Sequence, residues 1–246
     1  MSRTVLITGA SRGIGRATAL AFAELGDRVA INHRDSADLA AELRDEMAGD
    51  EHIVVQGDVA EPEAVRTMVN EVAAAFGGID VLVNNAGVYL PHPIMEVTYT
   101  EWQAQWRATL ETNLIGAANV IWCAARHMRA GGRIVNVSSR GAHRGEPDHP
   151  AYGASKAGLN AMAQSLAKPL GALGISVATI APGFVETAMA RPYLDSAAKA
   201  EIRAQSPFDR VATAAEVAAA IVWLASTAAE WASGSVFDFN GATYFR

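Results

Sequence analysis

The sequence predicts an α/β protein: a doubly wound parallel sheet with helices on both faces. Three observations carry this. Short β-branched runs alternate with long Ala/Leu-rich stretches. Those stretches are too long for hairpins and suit right-handed crossovers between parallel strands. No Pro/Gly/Ser-rich linker or internal repeat divides the 246 residues, so one domain is expected over 1–246.

Each element has its own reason. Thr4–Thr8 is a continuous apolar run, as in a strand buried on both faces. A helical pattern follows over Gly13–Leu25, and Gly26 ends it. Arg28–Asn32 is the second strand. Ser36 is placed to cap a helix running to about Met47, with Gly49 after it. Ile53–Gln56 is the third strand. Pro62 opens a helix to Phe76, where its missing N–H costs nothing. Asp80–Asn84 is the fourth strand, and one long helix is predicted over about Thr100–Met128. Arg133–Ser138 is the fifth strand, Ala151–Leu173 a long helix and Ser176–Ile180 the sixth strand. A helix over Thr213–Ser226 and a strand over Val236–Phe239 complete the pattern. Glu186–Arg210 is long, polar and without period. A loop of that length is expected to serve the site, as a substrate loop or lid.

Composition narrows the function. Half the residues are hydrophobic and 19% are charged, which excludes a disordered chain. The net charge of −6 argues against nucleic acid as a partner. No apolar run is long enough to span a membrane, and the first residues lead directly into a strand pattern, so a soluble, cytoplasmic protein is expected. The single cysteine, Cys123, excludes an intrachain disulfide and reads as a small buried hydrophobe. The six histidines have no helical metal spacing, and no metal site is expected.

The first strand leads to the first helix through Thr8-Gly9-Ala10-Ser11-Arg12-Gly13-Ile14-Gly15. Glycines here permit a tight turn and a close backbone approach. The helix N-terminus then presents free N–H groups to a pyrophosphate. The spacing is Gly-x-x-x-Gly-x-Gly, which also fits a plain strand-to-helix turn. Tyr152 and Lys156 stand four apart on a predicted helix and so share a face. A neighbouring ammonium would favour the phenolate, making Tyr152 a proton donor and acceptor near neutrality. Ser139, with Ser138 as competitor, lies just past the fifth strand, where such sheets bind ligands.

Together these residues resemble the short-chain dehydrogenase/reductase family, and within it the 3-oxoacyl-carrier-protein reductases. The motifs occur in the family's order over nearly the whole chain. The resemblance implies a Rossmann-type fold, NADP(H) or NAD(H) as cofactor, and a small carbonyl or alcohol substrate. Asn113, Ser139, Tyr152 and Lys156 match the catalytic set, with Lys156 also on the nicotinamide ribose and Asn113 helping to hold a proton-relay water. Gly9, Ser11, Arg12, Gly13, Ile14 and Gly15 match the phosphate loop. Asp58 and Val59 match the adenine site, and Asn85, Ala86 and Gly87 match the Asn-Asn-Ala-Gly motif that starts at Asn84. Pro182, Gly183, Val185 and Thr187 match the segment that closes over the nicotinamide. Pro182–Thr187 and Ser206–Arg210 look like the carrier-protein subgroup. Ala130 and Leu173, however, stand where carrier-using reductases can place cleft-entrance arginines.

The end of the second strand, Ala30-Ile31-Asn32-His33-Arg34-Asp35, sets cofactor choice. NAD-preferring members place an acid there, which would repel a 2′-phosphate. Aligning that position with His33 puts Arg34 and Arg12 beside the pocket and favours NADP(H). A shift of two would place Asp35 there and favour NAD(H). Arg140–Pro150 must border the substrate cleft, either as a solvated loop or as the wall for a polar substrate. The family commonly forms tetramers through its long central helices and last strand. The Ala-rich helix (Ala154, Ala157, Ala161, Ala163) and Val236–Phe239 suit a homotetramer, with a dimer as the alternative. Two other functions remain open: a non-catalytic nucleotide-sensing regulator on this fold, and an NAD-dependent alcohol or sugar dehydrogenase.

Overall fold

The computed structural model describes residues 2–246. Seven strands form one parallel sheet: β1 (Thr4–Ile7), β2 (Arg28–His33), β3 (Ile53–Gln56), β4 (Val81–Asn84), β5 (Arg133–Val137), β6 (Ser176–Pro182) and β7 (Val236–Phe239). Their order is β3-β2-β1-β4-β5-β6-β7, with every neighbouring pair parallel. The direction of winding reverses between β1 and β4, and that crevice, at the carboxyl ends of the strands, is where such sheets bind ligands.

Alternate residues of a strand face opposite layers. Val5 and Ile7 of β1 therefore pack with Phe22, Val29, Ile31 and Ile221 on one side, and Leu6 packs with Met68, Val72, Leu82 and Val120 on the other. The first layer holds α1 (Gly13–Glu24), α2 (Ala37–Glu46) and α10 (Ala214–Leu224). The second holds α3 (Pro62–Phe76), α4 (Tyr99–Leu110), α5 (Ala117–Ala124) and α7 (Pro150–Gly171). Among the described residues no helix is long and apolar enough to cross a membrane.

The structure corrects four local readings. The helix expected over Thr100–Met128 is interrupted by a π turn, Glu111–Gly116, which separates α4 from α5. Glu186–Arg210 is not wholly irregular: it carries α8 (Arg191–Leu194) and α9 (Lys199–Ala204). A short α6 (Gly141–Arg144) and a 3₁₀ turn (Thr227–Ala232) occupy other stretches read as connections. Ser36 does stand at the start of α2, but its hydroxyl makes no capping bond. It pairs instead with the Ser11 hydroxyl at 2.9 Å, tying α2 to the glycine loop.

Candidate active site

The glycine loop is held from three sides. Gly9 N–H donates to Asn32 Oδ1 (3.1 Å), and Asn32 Nδ2 donates to Gly57 O (3.0 Å), bracing β1, β2 and the end of β3 together. Asn85 Nδ2 donates to Thr8 O (3.0 Å) and Gly9 O (2.9 Å), while Thr8 Oγ1 accepts from the N–H groups of Asn85 and Ala86. Gly9 has φ +61°, and a Cβ there would meet Ala86 Cα at 2.9 Å. A Cβ on Gly15 would lie 2.5 Å from Gly9 O. Both positions therefore require glycine. The first turn of α1 has neither a side-chain cap nor an acidic residue, so its N–H groups stay open to an anion.

This loop is one wall of a cleft of about 820 Å³ at the carboxyl ends of the strands. Gly9, Ser11, Arg12, Ile14, His33, Arg34, Asp58, Val59, Asn85, Ala86, Gly87, Pro182, Gly183, Val185 and Thr187 all line it. So do Ser139, Tyr152 and Lys156. Gly13, Gly15 and Asn113 lie behind the wall. Gly13 packs under Thr187, whose Cγ2 would stand 3.3 Å from an added Cβ. Asn113 is 1% exposed and its side chain is committed. Its Oδ1 accepts from Val88 N–H (2.8 Å), and its Nδ2 donates to Val88 O (3.0 Å) and Ser155 Oγ (3.2 Å). The side chain thus pins the strand-four motif. The π turn around it perturbs the regular helical hydrogen-bond ladder beside the site, a frequent feature of functional helices.

Ser138 and Ser139 separate cleanly. Ser138 is buried and donates to Lys156 O (3.3 Å). Ser139 is half-buried on the cleft wall; its oxygen accepts from Gly141 N–H (3.0 Å), and its hydroxyl is directed to the Tyr152 phenol. Burial pushes the Tyr152 phenol up to about 12; the Ser139 hydroxyl pulls the other way, and the Glu146 charge adds to the rise. Lys156 is 4% exposed, and burial alone pulls its ammonium down to about 8. The pairing expected from the spacing is not the one found. Lys156 Nζ lies 5.8 Å from the Tyr152 ring centroid and donates to Val137 O at 2.7 Å. Burial therefore outweighs the ammonium at the phenol, and its protonated form is favoured.

The substrate end has an aromatic wall that sequence spacing does not reveal. Tyr89 stacks on His149 with centroids 3.6 Å apart and meets Tyr152 edge-on at 4.7 Å. Its hydroxyl donates to Glu146 (3.2 Å). Tyr193, from α8 of the long loop, lies 3.0 Å from His149 Nε2 through its hydroxyl. Burial brings His149 down to about 4, so its ring is neutral at pH 7 and can accept that bond. The wall joins three distant segments, so no local motif could announce it. The expectation that Arg140–Pro150 borders the cleft is met by Arg140 and Glu146, which both line it.

At the discriminating position β2 does end at His33, buried at 4% with Nδ1 unpartnered. Arg34 pairs with its neighbour Asp35 at 3.0 Å, and both side chains are exposed on the rim. Ala130 and Leu173, by contrast, precede β5 and β6 at the amino ends of the strands. That is the edge of the sheet opposite the cleft, so in this chain they do not stand at its entrance.

Residues 9–241 match a family described as enoyl-(acyl carrier protein) reductase. The chain is 36% identical over 248 residues to a 3-oxoacyl-(acyl-carrier-protein) reductase of Staphylococcus aureus, covering 99% of each. It is 38% identical over 244 residues to cis-4-hydroxycyclohexanecarboxylate dehydrogenase of Sinomonas cyclohexanicum, covering 97% of this chain and 95% of that one. Its fold superposes with a TM-score of 0.89 on a short-chain dehydrogenase of Burkholderia cenocepacia J2315 in complex with NADP, 35% identical and covering 98% and 97% of the two chains. With the sheet order and the cradled glycine loop, these likenesses establish that the chain belongs to the short-chain dehydrogenase/reductase family and is an NAD(P)-dependent oxidoreductase.

Proposed function

We propose that the chain transfers a hydride between NADP(H) and a carbonyl or secondary-alcohol substrate, with Tyr152 as the acid/base. One observation carries the reading: Ser139, Tyr152 and Lys156 line the same cleft as the glycine cradle. The cradle fits a dinucleotide, since it is closed to any side chain at Gly9 and Gly15 and opens onto an uncapped helix N-terminus. When bound, the nicotinamide supplies or takes up the hydride at the reacting carbon.

The chain's own residues do the rest. Gly9, Ser11, Arg12, Gly13, Ile14 and Gly15 form the phosphate loop, the first three and Ile14 facing the cofactor and Gly13 and Gly15 shaping the turn. Asp58, Val59, Asn85, Ala86 and Gly87 flank the adenine and ribose. Pro182, Gly183, Val185 and Thr187 cover the nicotinamide. The Ser139 hydroxyl donates to the substrate oxygen beside Tyr152. In reduction Tyr152 gives that oxygen its proton, and its high proton affinity keeps the phenol protonated at neutral pH. Lys156, held by Val137 O, brings positive charge to the floor and reaches the nicotinamide ribose. Asn113 acts by position, holding Val88 and the π turn that support a relay water.

His33 in place of an acid, with Arg12 and Arg34 on the rim, supports NADP(H) over NAD(H). The Staphylococcus aureus relative's name points to 3-oxoacyl thioesters as one substrate class, and the Sinomonas relative's name to a cyclic secondary alcohol. The test is Tyr152→Phe, which keeps the ring and removes the proton. Turnover of a ketone panel should fall at least about 100-fold, as expected for losing a general acid, with cofactor Kd nearly unchanged. Retention of more than about a tenth of wild-type kcat, a barrier change under about 1.4 kcal/mol, overturns the role of Tyr152.

A further inference from the structure

The substrate end of the cleft holds a charge that the proposed reaction does not use. Arg140 follows Ser139 and is 3% exposed. Among the described residues its guanidinium has no ion pair and no hydrogen-bond partner. Its backbone N–H donates to Pro182 O (2.8 Å), and its side chain lies over the Phe184 ring at 5.6 Å. The nearby acid, Glu146, is already engaged by Arg144 (3.3 Å) and the Tyr89 hydroxyl (3.2 Å). Burial, with the Arg144 charge close by, lowers Arg140 to about 10, so it stays a cation at neutral pH.

A guanidinium this enclosed is costly without a close partner, and Glu146, the acid that acts on it, is shared with Arg144 and Tyr89. The place of Arg140 shows what could offset that cost. Arg140 and Phe184 are the two residues shared by the walls of the main cleft and of a second cavity of about 270 Å³. The charge therefore stands at the partition between them, next in sequence to the serine that faces the reacting oxygen.

We infer that Arg140 seats a carboxylate carried by the substrate, which makes the substrate class an oxo or hydroxy carboxylic acid. This rests on the oxidoreductase reading of the same cleft and narrows it. A carboxylate is planar and matches the two-pronged guanidinium with paired, charge-assisted hydrogen bonds. A thioester offers no charge to pair. A phosphate dianion would bring two charges to one cation. The further cavity has no spare positive charge to help, because its Arg210 is paired with Glu216 (2.6 Å) and its Asp238 adds a carboxylate, itself paired with Arg246. Phe184, Met189, Pro192 and Tyr193 line the cleft and suit the carbon frame between the two polar ends.

The experiment compares kcat/KM, with NADPH, for 4-oxocyclohexanecarboxylate and its methyl ester. Wild type should favour the acid by about tenfold or more, as one charge-assisted contact implies. The ratio should fall to about one in Arg140→Gln and lie between these values in Arg140→Lys. A wild-type ratio near one overturns the inference, and that comparison needs no variant to fold. Failure of the oxidoreductase reading looks different: no ketone is reduced with either cofactor. Calorimetry with cyclohexanecarboxylate and its uncharged carboxamide then decides. Preferential binding of the carboxylate that is lost in Arg140→Gln sustains the carboxylate seat, and equal binding of both removes it.

Discussion

At the scale of single residues, the site depends on charges whose surroundings move them away from their ordinary behaviour. Lys156 ionises near 8 because it is buried, so it is cationic below that pH and neutral above it. Tyr152 keeps its proton over the whole working range, being pushed up to about 12. Reduction should therefore be level with pH below about 8 and decline above it as Lys156 loses its charge. Lys156→Arg should remove that inflection, and kcat measured from about pH 6 to about pH 10 checks it. A flat wild-type profile would show that Lys156 ionisation does not matter to the rate. Cofactor choice is also a residue-scale matter. Arg12 and Arg34 should favour NADPH over NADH by about tenfold in kcat/KM, about 1.4 kcal/mol. Arg12→Ala with Arg34→Ala should erase most of this. Asp35→Asn should increase it, because Asp35 holds the Arg34 guanidinium at 3.0 Å and competes with a phosphate. Equal wild-type use of both cofactors would refute the assignment.

At the scale of elements, what the sequence makes legible is what repeats. The strands were readable as unbroken β-branched runs, and the register of the glycine loop, Ser139, Tyr152 and Lys156 followed from their places after β1, after β5 and on α7. The π turn was hidden because Glu111–Gly116 holds no proline to mark where the ladder changes, and its buried residues are Asn113 and Gly116 rather than an apolar stripe. Helices of four and six residues, α8 and α9, are too short to complete a periodic pattern. Arg140 was unreadable for a different reason: in a segment as charged as Arg140–Pro150 a guanidinium reads as solvated, and only Pro182 and Phe184, from β6 and just beyond, reveal its burial. One substitution tests the loop as an element. Gly15 does not line the cleft, yet Gly15→Ala would drive a methyl against Gly9 O and Asn85 Nδ2. The loop must shift, so cofactor affinity should weaken by about tenfold or more and Tm should fall. Unchanged cofactor Kd by fluorescence titration would show that the cradle is not what binds.

At the scale of the whole molecule, two faces are left unpartnered by a single chain. β7 pairs only with β6, and near it Trp231 is 99% exposed while Trp223 packs edge-on against Phe237 at 5.5 Å. On α7, Ala154, Ala157 and Ala161 are exposed, whereas Ala163 is in the core. Small residues let two helices approach closely, and exposed aromatics mark association surfaces. Two such faces fit a homotetramer; a dimer would cover one. Light scattering should give the mass of four chains, and Trp231→Glu should reduce it. A monomeric wild type would remove the assembly from the description.

The bond between Tyr193 and His149 ties the long loop to the aromatic wall of the cleft. Among the described residues, the tip of the loop reaches the cleft wall through the Tyr193 hydroxyl, which meets His149 Nε2 (3.0 Å) beside the Tyr89 ring. The bridge between Val185 and Ala212 anchors the base of the loop, the Ser206 hydroxyl donates to Gly241 O (2.7 Å), and Ile202 is buried. The Tyr193 hydroxyl and the rings around it are thus one of several ties that keep the loop beside the cleft. A single bond of this kind contributes roughly 1 kcal/mol, enough to delay opening without sealing the site. For the reaction proposed for this cleft, Tyr193→Phe should loosen the loop and speed product release, and pre-steady-state kinetics showing an unchanged release step would separate the loop from turnover.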